Sequence, residues 1–307
     1  MSDRRGRGGD RTAAAGGQEQ PGTLFLVATP LGNTGDMSPR AIDVLQKVTY
    51  IAAEDTRTAA RLLSELGIGN HLVSYYEQNQ HLRHDMFLRD LKAGRSIAVI
   101  SEAGMPCISD PGEGIVRAAE REGLPVSVIP GPSALLSAVA ASGFDTGRFV
   151  YEGFIPVKGK DRRERIDAIA SEKRTVVFYE APHRIRRTLG DLLKAGLGER
   201  RLVIARELTK KYEEFVRLSV SGAAAYYETV TPRGEFTAVL EGAAEYEART
   251  GVGSDAGLSE EELAAMLIKC LDDGMSTREA AAAVAAKTGI PRNKLYEAAL
   301  TVKNMRQ

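Results

Sequence analysis

SIAVISEAGMPCISDPGEGIVRAAEREGLPVSVIPGPSALLSAVAASG (96–143) reads as strand, loop, helix, strand, loop, helix. Its two apolar runs, SIAVIS (96–101) and PVSVIP (125–130), each stop at a cluster of turn-forming residues, as buried strands do. GEGIVRAAEREG (112–123) between them has helical spacing. SALLSAVAASG (133–143) begins a second helix at Ser133, a residue suited to capping. Strands alternating with helices place the strands side by side in a mostly parallel sheet covered by helices.

The same alternation extends toward the N-terminus. LFLVA (24–28), TYIAA (49–53) and HLVSYY (71–76) are expected strands. Between them stand helices over SPRAIDVLQKV (38–48), with Pro39 in its first turn, and TRTAARLLSELGI (56–68), closed by Gly67; a further helix ends at Lys92. Toward the C-terminus, RFVYEGFIP (148–156), TVVFYE (175–180), RLVIARE (201–207), FVRLSVSG (215–222) and EFTAVLEG (235–242) read as strands, with helices over 160–171 and up to Ala195. The last fifty or so residues are nearly all helical, and 276–300 have the look of a helix-turn-helix. The expected layout is a disordered tail over 1–21 and α/β domains over 22–145 and 146–243. A polar linker over 244–257 and a small helical domain over 258–307 complete it.

Composition narrows the function classes. The 41 basic side chains balance 41 acidic ones, so net charge favours no partner. The two cysteines, Cys107 and Cys270, are far apart and outside any ligand-spaced pair, which points to free thiols in a reducing cytoplasm and to no metal site. No apolar stretch reaches the roughly 18 residues of a membrane span, and the N-terminus lacks the core of a signal peptide. A cytoplasmic protein with no membrane association is expected.

In an open α/β sheet, ligands bind beyond the carboxyl ends of the strands. The loops at those ends are VATPLGN (27–33), IAAEDTR (51–57), SEAGMPCISDPG (101–112), PGPSALLSA (130–138), FYEAPHR (178–184) and ARELTKK (205–211). Each mixes Gly or Pro with a few carboxylates, hydroxyls or bases. Such loops suit a flat, mostly neutral ligand held by backbone groups, with a nucleoside cofactor the obvious candidate. None matches GxGxxG or a P-loop, so neither NAD nor ATP is indicated.

VATPLGN, IAAEDTR, PGPSA, EGFIP, FYEAPHR and ARELTK, in this order, resemble the ribosomal RNA small-subunit methyltransferase I family. These are cytidine 2′-O-methyltransferases of the tetrapyrrole methylase superfamily. The likeness runs from about Leu24 to Leu240, and the helical tail resembles that family's C-terminal domain. It implies two α/β domains with S-adenosylmethionine in the cleft between them, usually in a homodimer acting on ribosomal RNA or the small ribosomal subunit. It also implies cofactor contacts at Pro30; at Glu102, Ala103, Gly104, Met105 and Ile108; at Ser133 and Ala134; at Tyr179 and Glu180; at Ala205 and Arg206; and at Pro232 and Gly234. The chain departs from the family's usual SDAGTPGISDPG at Glu102, Met105 and Cys107.

Methyl transfer from a sulfonium releases a neutral thioether, so no acid is needed, but a ribose hydroxyl is a weak nucleophile. A base or an oriented acceptor, with positioning, must supply the rest. Glu54, Asp55, Arg57 and His183 are the candidates; Asp55 reads equally well as a helix cap with Arg57 in a surface pair. Lys210, Lys211, Arg184, Arg186 and Arg187 stand near the loops and are candidates for RNA phosphates. Two alternatives are a methyltransferase of a corrin or sirohaem precursor, whose many carboxylates also suit basic residues, and a DNA-binding regulator using 276–300. The second has few side chains able to reach base edges.

Overall fold

The computed structural model describes residues 20–251, 260–288, 290 and 292–304. Residues 1–19 of the tail expected to be disordered and the last part of the expected linker lie outside them. By its contacts the chain separates into two compact units, each discontinuous in sequence.

The first unit holds strands β1 (Leu24–Val27), β2 (Tyr50–Ala53), β3 (Leu72–Ser74), β4 (Ile97–Ile100) and β5 (Val126–Ile129). Helices α1 (Pro39–Lys47), α2 (Thr56–Glu65), α3 (Gln80–Lys92) and α4 (Glu113–Arg121) connect them. The sheet order is β3-β2-β4-β1-β5 and every pair is parallel. The apolar runs of the inner strands follow from this: β2 and β4 are buried along their length, so neither face needs polar residues. Each helix turns a small apolar face inward: Ala41 and Leu45, Ala59 and Leu63, Phe87 and Leu91, Ile115 and Ala119. β1 and β4 are neighbours, yet the chain leaves β1 for β2 on one side and β4 for β5 on the other. This is a switch point, where open parallel sheets offer a crevice.

The second unit contains α5 (Ala134–Ser142), β6 (Phe149–Phe154), α6 (Gly159–Ser171), β7 (Thr175–Glu180), α7 (Pro182–Lys194), β8 (Arg201–Arg206), β9 (Glu214–Ser219), α8 (Val220–Thr229), β10 (Phe236–Leu240) and α9 (Ala243–Thr250). Its sheet order is β6-β7-β10-β8-β9. Only β6 and β7 are parallel; β10 runs antiparallel to both β7 and β8, as does β9 to β8. The expected parallel character therefore belongs to the first sheet. Strand alternation gives this second sheet two cores. Phe178, Ile204 and Ala238 face α6, α7 and α8, with Ile169, Leu189 and Val220 opposite them. Val177, Val203, Ala205 and Val239 face Ala138 and Val139 of α5.

That second core moves the expected domain boundary. The break at 145/146 would leave α5 with the first sheet, but its apolar face is buried on β7, β8 and β10. Residues Ala28–Ser38 and Ser101–Asp110 join the second unit as well. Two further expectations are corrected. Ser219 ends a strand and caps α8, its hydroxyl accepting from the Gly222 amide at 3.1 Å, so the expected strand over 215–222 stops at 219. The expected linker over 244–257 is helical as far as Thr250, because Arg249 pairs with buried Glu241 at 2.9 Å and anchors α9.

At the C-terminus, α10 (Glu260–Asp272), α11 (Thr277–Thr288) and α12 (Arg292–Asn304) enclose a small core of Leu267, Ala280, Ala281, Val284, Leu295 and Ala299. Among the described residues, no helix is long and apolar enough to cross a membrane.

Candidate active site

The loops leaving β1, β4 and β5 converge on Gly104. Thr29 and Gly104 exchange backbone hydrogen bonds of 2.9 and 3.0 Å, forming an isolated antiparallel bridge. The Thr29 hydroxyl, fully buried, donates to the Ser101 carbonyl at 3.1 Å, and the Ser101 hydroxyl donates to the Gly104 carbonyl at 2.8 Å. Gly104 has φ +85°, and a Cβ there would meet Leu31 at 3.3 Å and the Pro132 carbonyl at 3.6 Å. Only glycine suits that backbone and that space. Pro30 is buried beside this knot, and Ser133 caps α5 by accepting from the Leu136 amide. Glu102, one residue beyond Ser101, is exposed and makes no hydrogen bond or ion pair among the described residues.

Two more loops are tied to this knot. The Lys210 stem covers Gly32, and its ammonium contacts Glu207 at 3.1 Å and Glu235 at 3.2 Å. Burial opposes that charge, but the two carboxylates outweigh it and hold Lys210 above the ordinary lysine range. Glu207 also accepts from the Glu235 amide at 3.1 Å, clamping the turn at Pro232 and Gly234 against the end of β8. From the β4 loop, the Ser109 and Tyr151 hydroxyls lie 2.7 Å apart, and Tyr151 meets the Tyr179 ring edge-on at 5.2 Å. Burial pushes both phenols above the usual tyrosine value, so they stay protonated at neutral pH and act as hydrogen-bonding groups.

Alternation sorts the residues expected around the cofactor. Tyr179 shares the face of Val177, and Ala205 that of Val203, toward α5 and the convergent loops. Their neighbours point the other way. Glu180 is buried on the opposite face, accepting from the Ala181 amide at 2.9 Å, from Arg184 at 3.1 Å and from the Thr188 hydroxyl at 2.5 Å. Arg206 pairs with Glu214 at 2.9 Å. The side chains of Glu180 and Arg206 are thereby committed to the fold. Thr237 of β10 is paired with both Tyr179 and Ala205, completing a row on the loop-facing side that motif reading missed.

The catalytic candidates separate as well. Asp55 caps α2, accepting from the Arg57 amide at 2.8 Å; these bonds from Arg57 hold its carboxyl below the usual range. Arg57 is almost wholly exposed, and Glu54 is exposed at the carboxyl end of β2. His183 is exposed in the first turn of α7. Of the expected RNA-binding cations, Arg184 is tied to Glu180 and the Ile155 carbonyl, Arg186 to the Tyr227 carbonyl at 2.5 Å, and Lys210 as above. Lys211 and Arg187 are exposed. Among the described residues, no three His, Cys, Asp or Glu side chains stand together as metal ligands.

Residues 23–224 match the family model of the Tetrapyrrole (Corrin/Porphyrin) Methylases, and residues 257–303 match that of the RsmI C-terminal HTH domain. Several curated relatives carry the name ribosomal RNA small subunit methyltransferase I. The one from Synechocystis sp. is 42% identical over 92% of this chain and 99% of its own. That from Thermotoga maritima is 46% identical over 72% and 99%, and that from Escherichia coli O157:H7 39% over 91% and 95%. Among solved structures, a cobalt precorrin-4 methyltransferase aligns with a TM-score of 0.56 at 15% identity, covering 71% of this chain and 94% of its own. Uroporphyrin-III C-methyl transferase from Thermus thermophilus, complexed with S-adenyl homocysteine, aligns at 0.52 and 20% identity, covering 72% and 97%. At those identities the structural likeness speaks for the fold.

Proposed function

The chain belongs to the tetrapyrrole methylase family, and on that basis we propose that it methylates the 2′-hydroxyl of a cytidine ribose in small-subunit (16S) ribosomal RNA. It is an S-adenosylmethionine-dependent methyltransferase acting on ribosomal RNA. The observation that carries this substrate over a tetrapyrrole is the match of residues 257–303 to the RsmI C-terminal HTH domain. Relatives named for ribosomal RNA are also 39–46% identical to the chain.

The site fits the cofactor. Three loops meet at a glycine whose left-handed backbone would strain any side chain, with backbone groups and one exposed carboxylate there to face a ligand. Met105, with Ser133 and Ala134, would hold the cofactor through main-chain groups, while Gly104, its own amide and carbonyl bonded within the knot, would shape the turn beside it. Glu102 would accept from its ammonium or ribose hydroxyls, a charge-assisted contact. When bound, S-adenosylmethionine supplies an electrophilic methyl group. Tyr179, Ala205 and Thr237 wall the site, and Leu31 packs into the same core. The acceptor hydroxyl gains its reactivity from being held in line, which supplies more of the rate than any base. Asp55, the cap of α2 with its carboxyl held below the usual range, is a poor base, and His183 is an exposed imidazole suited to orienting the ribose. A homodimer acting in the cytoplasm belongs to the same reading and rests on the family resemblance.

Calorimetry on purified protein tests the cofactor half. Binding without added metal, weakened at least tenfold by Glu102→Ala in a folded variant, is expected from loss of a charged hydrogen bond. Unchanged affinity in that variant would remove Glu102 from the site.

A further inference from the structure

We propose that Phe154 is a stacking surface for a base of the RNA substrate and that Lys158, four residues on, takes a neighbouring phosphate, an inference that rests on the ribosomal RNA reading. The argument begins with a register shift. Along β6 and β7, Tyr151 is paired with Val177 but Phe154 with Tyr179, so three steps on β6 match two on β7. Gly153, with φ +62°, supplies the left-handed residue such a bulge needs. In a regular strand, Tyr151 and Phe154 would point to opposite faces. With the extra residue both rings close on Tyr179, at centroid distances of 5.2 and 5.5 Å. The bulge therefore places Phe154 on the face that carries Tyr179 and the convergent loops. Ser109 of the β4 loop lies 3.5 Å from where a Gly153 Cβ would stand, which sets the bulge against that loop.

Phe154 nevertheless remains 52% exposed, and Val157 three residues on is 58% exposed. A bulge that buried its aromatic residue would need no further account. This one presents a ring that is packed by Tyr179 and still open to solvent. The charges around it are selective. Of the seven basic residues in 158–174, Lys160, Arg162, Arg165 and Arg174 pair with Glu164, Asp191, Glu152 and Glu172. Lys158, Arg163 and Lys173 have no counter-ion among the described residues, and Lys158 stands four residues after Phe154, next to exposed Val157. An exposed aromatic ring with an unpaired cation four residues on in the chain is a pattern suited to an unstacked RNA base and its phosphate.

Steady-state methylation of small-subunit RNA by Phe154→Ala, Phe154→Leu and Phe154→Trp tests this, with cofactor Kd and molecular mass measured on the same samples. Stacking predicts that the alanine variant raises KM for RNA about tenfold while kcat stays within about twofold. Tryptophan restores KM and leucine does not. Lys158→Gln raises KM more modestly and lowers its salt dependence by roughly one ion. An unchanged KM in Phe154→Ala, or full rescue by leucine, overturns stacking. A changed cofactor Kd would assign the ring to the cofactor, and a changed mass to a subunit interface; either overturns the proposal. Wild-type protein that methylates no small-subunit RNA would instead sink the underlying reading, and this inference with it.

Discussion

Glu180→Ala should destabilise the protein without touching the cofactor. The Glu180 side chain is fully buried, and its two oxygens accept from the Ala181 amide, Arg184 and the Thr188 hydroxyl. Thr188 is itself buried and accepts from Arg162 at 3.0 Å; Arg162, 4% exposed, reaches Asp191 at 2.8 Å. Removing the carboxylate takes the acceptor from the buried Thr188 hydroxyl and leaves Arg184 with the Ile155 carbonyl and a partly exposed guanidinium. Breaking a buried pair costs about 3–5 kcal/mol, and because Arg184 keeps 17% of its side-chain surface, about 3 kcal/mol is expected. For a protein of this size that lowers Tm by roughly 5 °C. Glu180→Gln, which keeps the acceptor oxygen, should lose less. Scanning calorimetry alongside cofactor titration at a temperature where the variant is folded makes the check. An unchanged Tm with weakened cofactor binding would refute the assignment and return Glu180 to the site.

Cys107 and Ser109 both adopt left-handed backbone, at φ 70° and 62°. Cys107→Gly should relieve that strain, worth up to about 1 kcal/mol in urea unfolding, against the loss of the contact its side chain makes. Ser109→Gly should gain nothing, since it loses the bond to Tyr151. Acid should unfold the second unit through two carboxyls. Bonds from Arg174 bring Glu172 down to about 2. Burial pushes Glu241 up, but bonds from Arg249 and Arg201 outweigh it and leave it below the ordinary value. A depressed carboxyl stabilises above its unfolded pKa and loses that contribution as pH falls through the folded one. Tm should therefore be insensitive to these groups above about pH 5.5 and fall from about pH 4.5 toward 2. Glu241→Gln should flatten part of that fall, and a variant with the wild-type acid limb would contradict the assignment.

The parallel strands were readable because each is a short apolar run ended by a turn cluster, and LFLVA, TYIAA and SIAVIS all became strands. The convergence of their loops followed from strand order, which periodicity alone does not give. Motif reading placed Glu180 beside Tyr179 and Arg206 beside Ala205 as joint contacts. It treated neighbours as equivalent, whereas a strand sends them to opposite faces. Lys210 was legible as a cation near the site, but its partner Glu235 is remote in sequence. α8 was hidden because Ser219 ends one element and caps the next, and α9 because its polar sequence is held by ion pairs to Glu241. The bulge that turns Phe154 toward Tyr179 left one trace, Gly153, in a run that otherwise reads as a plain strand.

Ribose methylation of small-subunit ribosomal RNA, mapped by mass spectrometry after incubating purified protein, S-adenosylmethionine and unmodified subunits, tests the central claim most directly. A single new 2′-O-methylcytidine is predicted, lost when the cofactor is omitted. No ribose methylation of the RNA, with transfer instead to a uroporphyrinogen substrate offered in parallel, would contradict it.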